Sequence, residues 1–145
     1  MDNTGNQVYP VDSGSGGFTA EEQAVYDFIS SNVSTLESIY EVQSKAVREY
    51  ANGSVSDATD YTGEYFAMLD ELGSQWMSFP AARGRVGSLE SQFEICYNDL
   101  VDIDTGITRI LDGGSSDYGI EAIDAYNRDV IILKTMLDNQ EMMAY

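Results

Sequence analysis

The chain has 145 residues, enough for one domain with a real core but too few to fill two. Its 25 acidic residues outnumber 7 basic ones for a formal charge of -18, and this excludes the basic footprint that nucleic acid or an anionic membrane face requires. The chain has no histidine, which removes histidine-dependent triads, H-E-x-x-H zinc sites and the Glu-x-x-His pairs of di-iron bundles.

Residues 1–17 are rich in Gly, Ser, Asn and Asp around one apolar island, Val8-Tyr9-Pro10-Val11. Pro10 forbids a helix interior and favours extended backbone, so residues 1–18 are expected to form an extended or flexible arm ahead of a single helical domain over 19–145. The arm has neither a basic start nor an apolar run, and is not expected to act as a secretory signal.

The first helix starts at a capping box, with Thr19 as the cap and Glu22 three residues on; Phe18 holds the apolar staple position. Its stripe is read as Tyr26, Ile29, Val33, Leu36, Tyr40, Gln43, Val47 and Tyr50, in alternating steps of three and four. Asn52-Gly53 supplies the left-handed stop after roughly 32 residues, or about 48 Å. Gln43 is the polar member of that stripe, and partial exposure is expected for it over a register-setting hydrogen bond.

A second helix is expected from Ser56 or Asp57 to Met77, with Tyr61, Tyr65, Phe66, Leu69, Leu72 and Trp76 inward. Gly63 and Gly73 weaken it by about 1 kcal/mol each relative to alanine, and a bend or fraying is expected at Gly73. Ser78-Phe79-Pro80 breaks the chain, and Pro80 suits the first turn of the next helix. The third helix is expected from Ala81 to Leu111, ended by Gly113-Gly114. Val86, Leu89, Phe93, Cys96, Leu100, Ile103, Ile107 and Ile110 form its stripe, in the same alternating steps of three and four. The fourth follows Ser116 or Asp117 and runs to about Met143, turning Ile123, Tyr126, Val130, Leu133 and Leu137 to one face with Ile120 beside it.

Four long amphipathic helices with short loops give the expected fold: all-α, an elongated antiparallel up-down-up-down four-helix bundle with an extended N-terminal arm. The alternative is an extended hairpin in which helices from two or more chains complete the core, as the heptad-like stripes of helices one and three allow.

Little chemistry is encoded. No phosphate-cradling glycine loop is present, the one cysteine falls on an apolar stripe, and no cofactor or metal is expected. Asp99, Asp102 and Asp104 lack the glycine placement of an EF-hand and are expected to be a solvated acidic face rather than a cation site. Arg83 and Arg85 oppose the dipole at the start of helix three, so a carboxylate such as Asp70 or Glu71, or an acidic partner, is expected to face them.

Topology points to a contact surface. If the first helix runs up, the arm (Val8, Tyr9, Val11, Phe18), the loop after helix two (Trp76, Met77, Phe79) and the tail (Met142, Met143, Tyr145) converge at one end. The opposite end offers only polar turns. Helix two is about ten residues shorter than the first, so the lower part of helix three, around Val86, Leu89 and Phe93, is expected to need cover from the arm, from Trp76 or from another chain. These apolar residues, with Arg83 and Arg85, are the candidate partner-binding set.

The functional expectation is a non-enzymatic structural or assembly protein that binds protein partners or itself. Scarce lysine and an acidic excess spread evenly along the chain fit a surface tuned to very salty solvent, and hence a halophile or a virus of one. The expected location is the cytoplasm, or a particle such as a virion assembled there. The alternative is an acidic regulatory or inhibitory binding module, including a mimic of nucleic acid.

Overall fold

The computed structural model describes residues 18–79 and 86–143, with side chains to residue 139 in the last helix. These residues form a helical bundle of four helices, α1 (Ala20–Ala51), α2 (Val55–Met77), α3 (Gly87–Leu111) and α4 (Asp117–Met143). No strand occurs among the described residues.

The helix ends follow from local chemistry. The Thr19 hydroxyl accepts from the Glu22 amide at 3.1 Å and the Glu22 carboxylate accepts from the Thr19 amide at 2.8 Å, completing the capping box. At the far end of α1, Gly53 takes φ of 86°, and the Ser54 amide reaches back to the Glu49 carbonyl at 2.8 Å. Gly113, at φ 89°, closes α3 in the same way, with the Gly114 amide donating to the Arg109 carbonyl at 2.7 Å. In both turns the left-handed glycine lets two amides satisfy carbonyls that the helix leaves open.

Other boundaries differ from expectation. α2 begins at Val55, one residue early, with Ser54 in the capping place; the Ser54 hydroxyl does not cap a backbone amide but donates to the Asp57 carboxylate at 2.7 Å. α3 is described from Gly87, with Val86 in the capping place; the expected start at Ala81 falls in residues 80–85, which with Pro80 lie outside the described residues. Gly73 does not end or break α2, which continues to Met77. The missing Cβ instead admits Tyr97 from α3: a Cβ there would stand 2.5 Å from the Tyr97 hydroxyl, which donates to the Leu69 carbonyl at 3.1 Å.

α3 is the central helix, touching each of the other three. Its expected stripe is the core line: Val86, Leu89, Phe93, Cys96, Leu100, Ile103 and Ile107 are all buried, and Ile110 is half-buried. Against it lie Val25, Ile29, Leu36, Ile39, Val42 and Ala46 of α1, Tyr65, Leu69 and Leu72 of α2, and Ala122, Tyr126, Val130 and Leu133 of α4. Specific side chains join the neighbouring helices. On α2 and α3, Tyr65 meets Asp104, Leu69 meets Tyr97 and Trp76 meets Glu94; on α3 and α4, Gln92 meets Asp129, Asp102 meets Tyr118 and Gly106 meets Gly119.

Three assignments of facing are corrected. The α1 core line keeps Ile29 and Leu36 of the expected stripe but is otherwise shifted: Tyr26, Val33, Tyr40 and Val47 flank the core half-buried, and Tyr50 is exposed. Phe66, assigned inward, is 56% exposed, and its place on the inner side of α2 goes to Tyr65 and Leu69. Gln43, expected partly exposed, is 1% exposed, and its Nε2 donates to the Leu100 carbonyl of α3 at 2.8 Å.

Candidate functional site

Two features stand out: an aromatic cluster at one end and a buried polar layer between α3 and α4. The cluster is assembled by three helix ends. Phe28 of α1 sits 4.7 Å from the ring of Phe79, 5.7 Å from Trp76 and 6.0 Å from Phe93, and Trp76 lies 4.8 Å from Phe93. Tilted and edge-on rings at these separations add to the gain from burial. The indole of Trp76 donates to Glu94 at 3.2 Å, so its polar edge is satisfied at the surface while the ring faces inward.

This arrangement answers the question of cover for the lower part of α3. Val86, Leu89 and Phe93 are fully buried, with Trp76 and Phe28 packed on Phe93. Of the three covers expected for this part of the helix, Trp76 near the end of α2 is the one placed on it among the described residues, and the arm lies outside them. Phe28 is the contributor that the expected α1 stripe missed, because it lies one position off that line.

Of the candidate contact residues, Phe18, Trp76 and Phe79 pack against the core, and Phe18 lies 5.5 Å from the ring of Tyr26. Met77 is 83% exposed beside them. A cavity of about 290 Å³, lined by Glu21, Ala24, Val25, Ser78 and Phe79, opens between the start of α1 and the end of α2. Val8, Tyr9, Val11, Arg83, Arg85 and Tyr145, and the side chains of Met142 and Met143, lie outside the described residues, as does the proposed pairing of the two arginines.

The polar layer corrects the reading of the aspartate cluster. Asp99 is 9% exposed and its carboxyl neighbours that of Asp129, itself 8% exposed, on α4, near enough to bond to it once one of the two carries a proton. Asp102 and Asp104 are half-buried and accept from tyrosine hydroxyls, Asp102 from Tyr118 at 3.2 Å and Asp104 from Tyr65 at 2.6 Å. The helical stripe does run through this segment, but the residues beside it pair across helices and are not a fully solvated face.

Burial, then the Asp129 hydrogen bond and charge, push the Asp99 carboxyl up to about 7. Burial also acts to raise Asp129, but hydrogen bonds from Asp99 and Arg128 outweigh it and hold this carboxyl below the usual range. Arg128 donates through Nε at 3.2 Å and Nη2 at 3.4 Å, and Gln92 donates to the Asp129 carbonyl at 2.9 Å. Burial, with the charges of Asp99 and Asp129, pushes the Cys96 thiol up to about 12, so it is a neutral, inert core group. Tyr126, stacked on Tyr40 at 4.8 Å, and Tyr65 are also raised well above the ordinary phenol value, chiefly by burial.

A second cavity, of about 560 Å³, lies at the turn between α3 and α4, where the Arg109 guanidinium rests 4.2 Å above the ring of Tyr118. Its rim includes Asp112, Asp117 and Glu121. Among the described residues no group of three or more His, Cys, Asp or Glu side chains is placed to hold a metal ion, and no helix is long and apolar enough to cross a membrane. Compared with protein-family models, curated proteins and solved structures, the chain matches none.

Proposed function

We propose that the chain is a non-enzymatic structural or assembly protein of a halophile or a halophile virus, acting in the cytoplasm or in a particle assembled there. It docks through an N-terminal arm, residues 1–18, and through one apolar end of a single bundle domain, residues 19–145. The bundle is antiparallel, up-down-up-down, a reading supported by the opposed pairings of α2 with α3 and of α3 with α4.

The observation that carries the reading is the end where α1 starts and α2 finishes. Met77 stands 83% exposed there, next to an apolar cavity bounded by Ala24, Val25 and Phe79. An unbranched thioether projecting beside an apolar hollow is an adaptable contact surface. The arm enters the bundle at Phe18, on the same end, so arm and hollow can engage one partner together. The charge of -18 keeps the rest of the surface solvated and disfavours contact elsewhere.

Size-exclusion chromatography with light scattering in molar salt tests this. The full chain is expected to run as a defined oligomer or to co-elute with a protein partner, and removal of residues 1–17 or Met77→Asp to weaken that association at least tenfold. A strict monomer from which those residues can be removed without loss of any partner would sink the proposal.

A further inference from the structure

Asp99 and Asp129 lie on α3 and α4 at one interface, and both are buried. Oδ2 of Asp99 is buried and receives no hydrogen bond. As a carboxylate, that oxygen would be a desolvated acceptor with no donor, which is costly. A proton changes the account: a protonated Asp99 can donate to the Asp129 carboxylate, which Arg128 already holds in its ionised form. We infer that Asp99 and Asp129 form a shared-proton latch across the α3–α4 interface, tightened when Asp99 carries its proton and loosened when the proton leaves. This inference is independent of the assembly proposal, since every residue it uses lies inside the bundle.

The surroundings favour the protonated form. From α3 itself, Asp102 adds repulsion and Cys96 stays neutral. From α4, Asp129 repels an ionised Asp99, Arg128 acts in the opposite sense from the surface, and Tyr126 stays neutral. From α1 come Gln43 and Tyr40, and Glu37, whose charge reaches Tyr126 and which is paired with Lys134. On the flank facing α2, Asp70 acts on Tyr97, and Asp104 is engaged by Tyr65.

The absence of histidine makes the latch readable. Ordinary carboxylates finish titrating below about pH 5.5, and lysine, tyrosine and this cysteine begin well above 8. Asp99, pushed up to about 7, titrates between those limits. The α-amino group also titrates near there, but a comparison with an Asp99 variant cancels it. An acid whose folded value is raised stabilises the fold in full below its unfolded value, and this contribution is lost as pH rises through the folded one. Asp129, being lowered, loses its contribution only at the acid end, outside this window.

The experiment is urea unfolding of the full chain at pH 5.5 and pH 8.0 in constant salt, for the wild type and for Asp99→Asn, whose amide can still donate to Asp129. For the wild type the folded-to-unfolded ratio is expected to fall about thirtyfold over this range, as one proton linked to folding is lost. Asp99→Asn is expected to be nearly flat, and at pH 8.0 at least as stable as the wild type. An equal slope in both proteins overturns the latch, as does a wild type with no slope. Carbon-detected NMR of the wild-type Asp99 carboxyl decides the matter even if the variant fails to fold: a midpoint near neutrality supports the latch, and one in the ordinary carboxylate range overturns it.

Discussion

Gln43 shows how much a single core position depends on its partner. Its amide nitrogen donates to the Leu100 carbonyl, but its own Oε1 is buried with no hydrogen bond, so the gain on one side is set against an orphaned acceptor on the other. A net hydrogen bond contributes about 1 kcal/mol and an unsatisfied buried oxygen costs about as much or more, which leaves the residue close to neutral in stability. Gln43→Met keeps the unbranched shape and removes the orphan. We expect it to change the urea unfolding free energy by less than about 1 kcal/mol. Gln43→Glu instead adds a charge to a fully buried site with no cation to pair it, and is expected to cost about 3 kcal/mol or more at pH 8. If Gln43→Met proved as damaging as Gln43→Glu, the α1–α3 hydrogen bond would be a main source of stability, contrary to this account. The pattern of steps along α1 could not reveal this burial, because a lone glutamine in an apolar stripe reads equally well as a surface residue.

At the scale of elements, the helix ends were legible and the faces were only partly so. Thr19 with Glu22, Asn52-Gly53 and Gly113-Gly114 are local signals, and each terminus they mark is where the chain turns. The phase of α1 was only partly legible: Ile29 and Leu36 of the expected stripe are in the core, but Val25, Ile39, Val42 and Ala46 offer a second apolar line that takes the inward place from Tyr26, Val33, Tyr40 and Val47. Spacing sets the period of a helix but not which of two adjoining lines is inward; the tyrosines, with a polar tip, went to the flank. The candidate site divided the same way. Trp76 and Phe79 were found from their place beside a break in the chain, whereas Asp99 and Asp129 lie on different helices and nothing local joins them. The glycines separate the two kinds of signal further. Gly106 of α3 faces the backbone of Gly119 on α4 so closely that a Cβ would stand 2.8 Å from the Gly119 nitrogen, while around Gly63 of α2 there is open space. Gly106→Ala is therefore expected to push α3 from α4 and cost about 3 kcal/mol, since backbone cannot move aside as a flexible side chain can. Gly63→Ala should stabilise the chain by about 1 kcal/mol through helix propensity alone. Thermal unfolding of the pair checks both signs; a harmless Gly106→Ala would mean that the α3–α4 contact is looser than its geometry requires.

For the whole molecule the dominant quantity is charge. With 25 acidic residues and 7 basic ones the surface repels itself, and the described ion pairs Lys134–Glu37 and Arg128–Asp129 engage exposed cations that solvent screens. Screening length falls from about 10 Å at 0.1 M salt to about 3 Å at 1 M, so repulsion between neighbouring carboxylates should fade over that range, while burial of the core persists or strengthens. The urea midpoint is accordingly expected to rise with sodium chloride, steeply to about 1 M and slowly beyond it. Urea is the suitable denaturant because guanidinium is itself a salt. Potassium chloride should act alike if screening is the cause, whereas a difference between the two cations would point to specific ion binding. A midpoint that fell with salt would show that attraction in the ion pairs outweighs the repulsion, and would remove the physical ground for a salt-adapted surface. The buried Asp99–Asp129 pair supplies an internal control, because desolvated charges are screened far less than exposed ones. Its pH dependence between 5.5 and 8.0 should persist at 2 M salt with much the same slope, even as the overall stability rises. A slope that vanished with salt would mean that the neutral-range titration belongs to the exposed surface and its summed field, not to two carboxyls locked between α3 and α4.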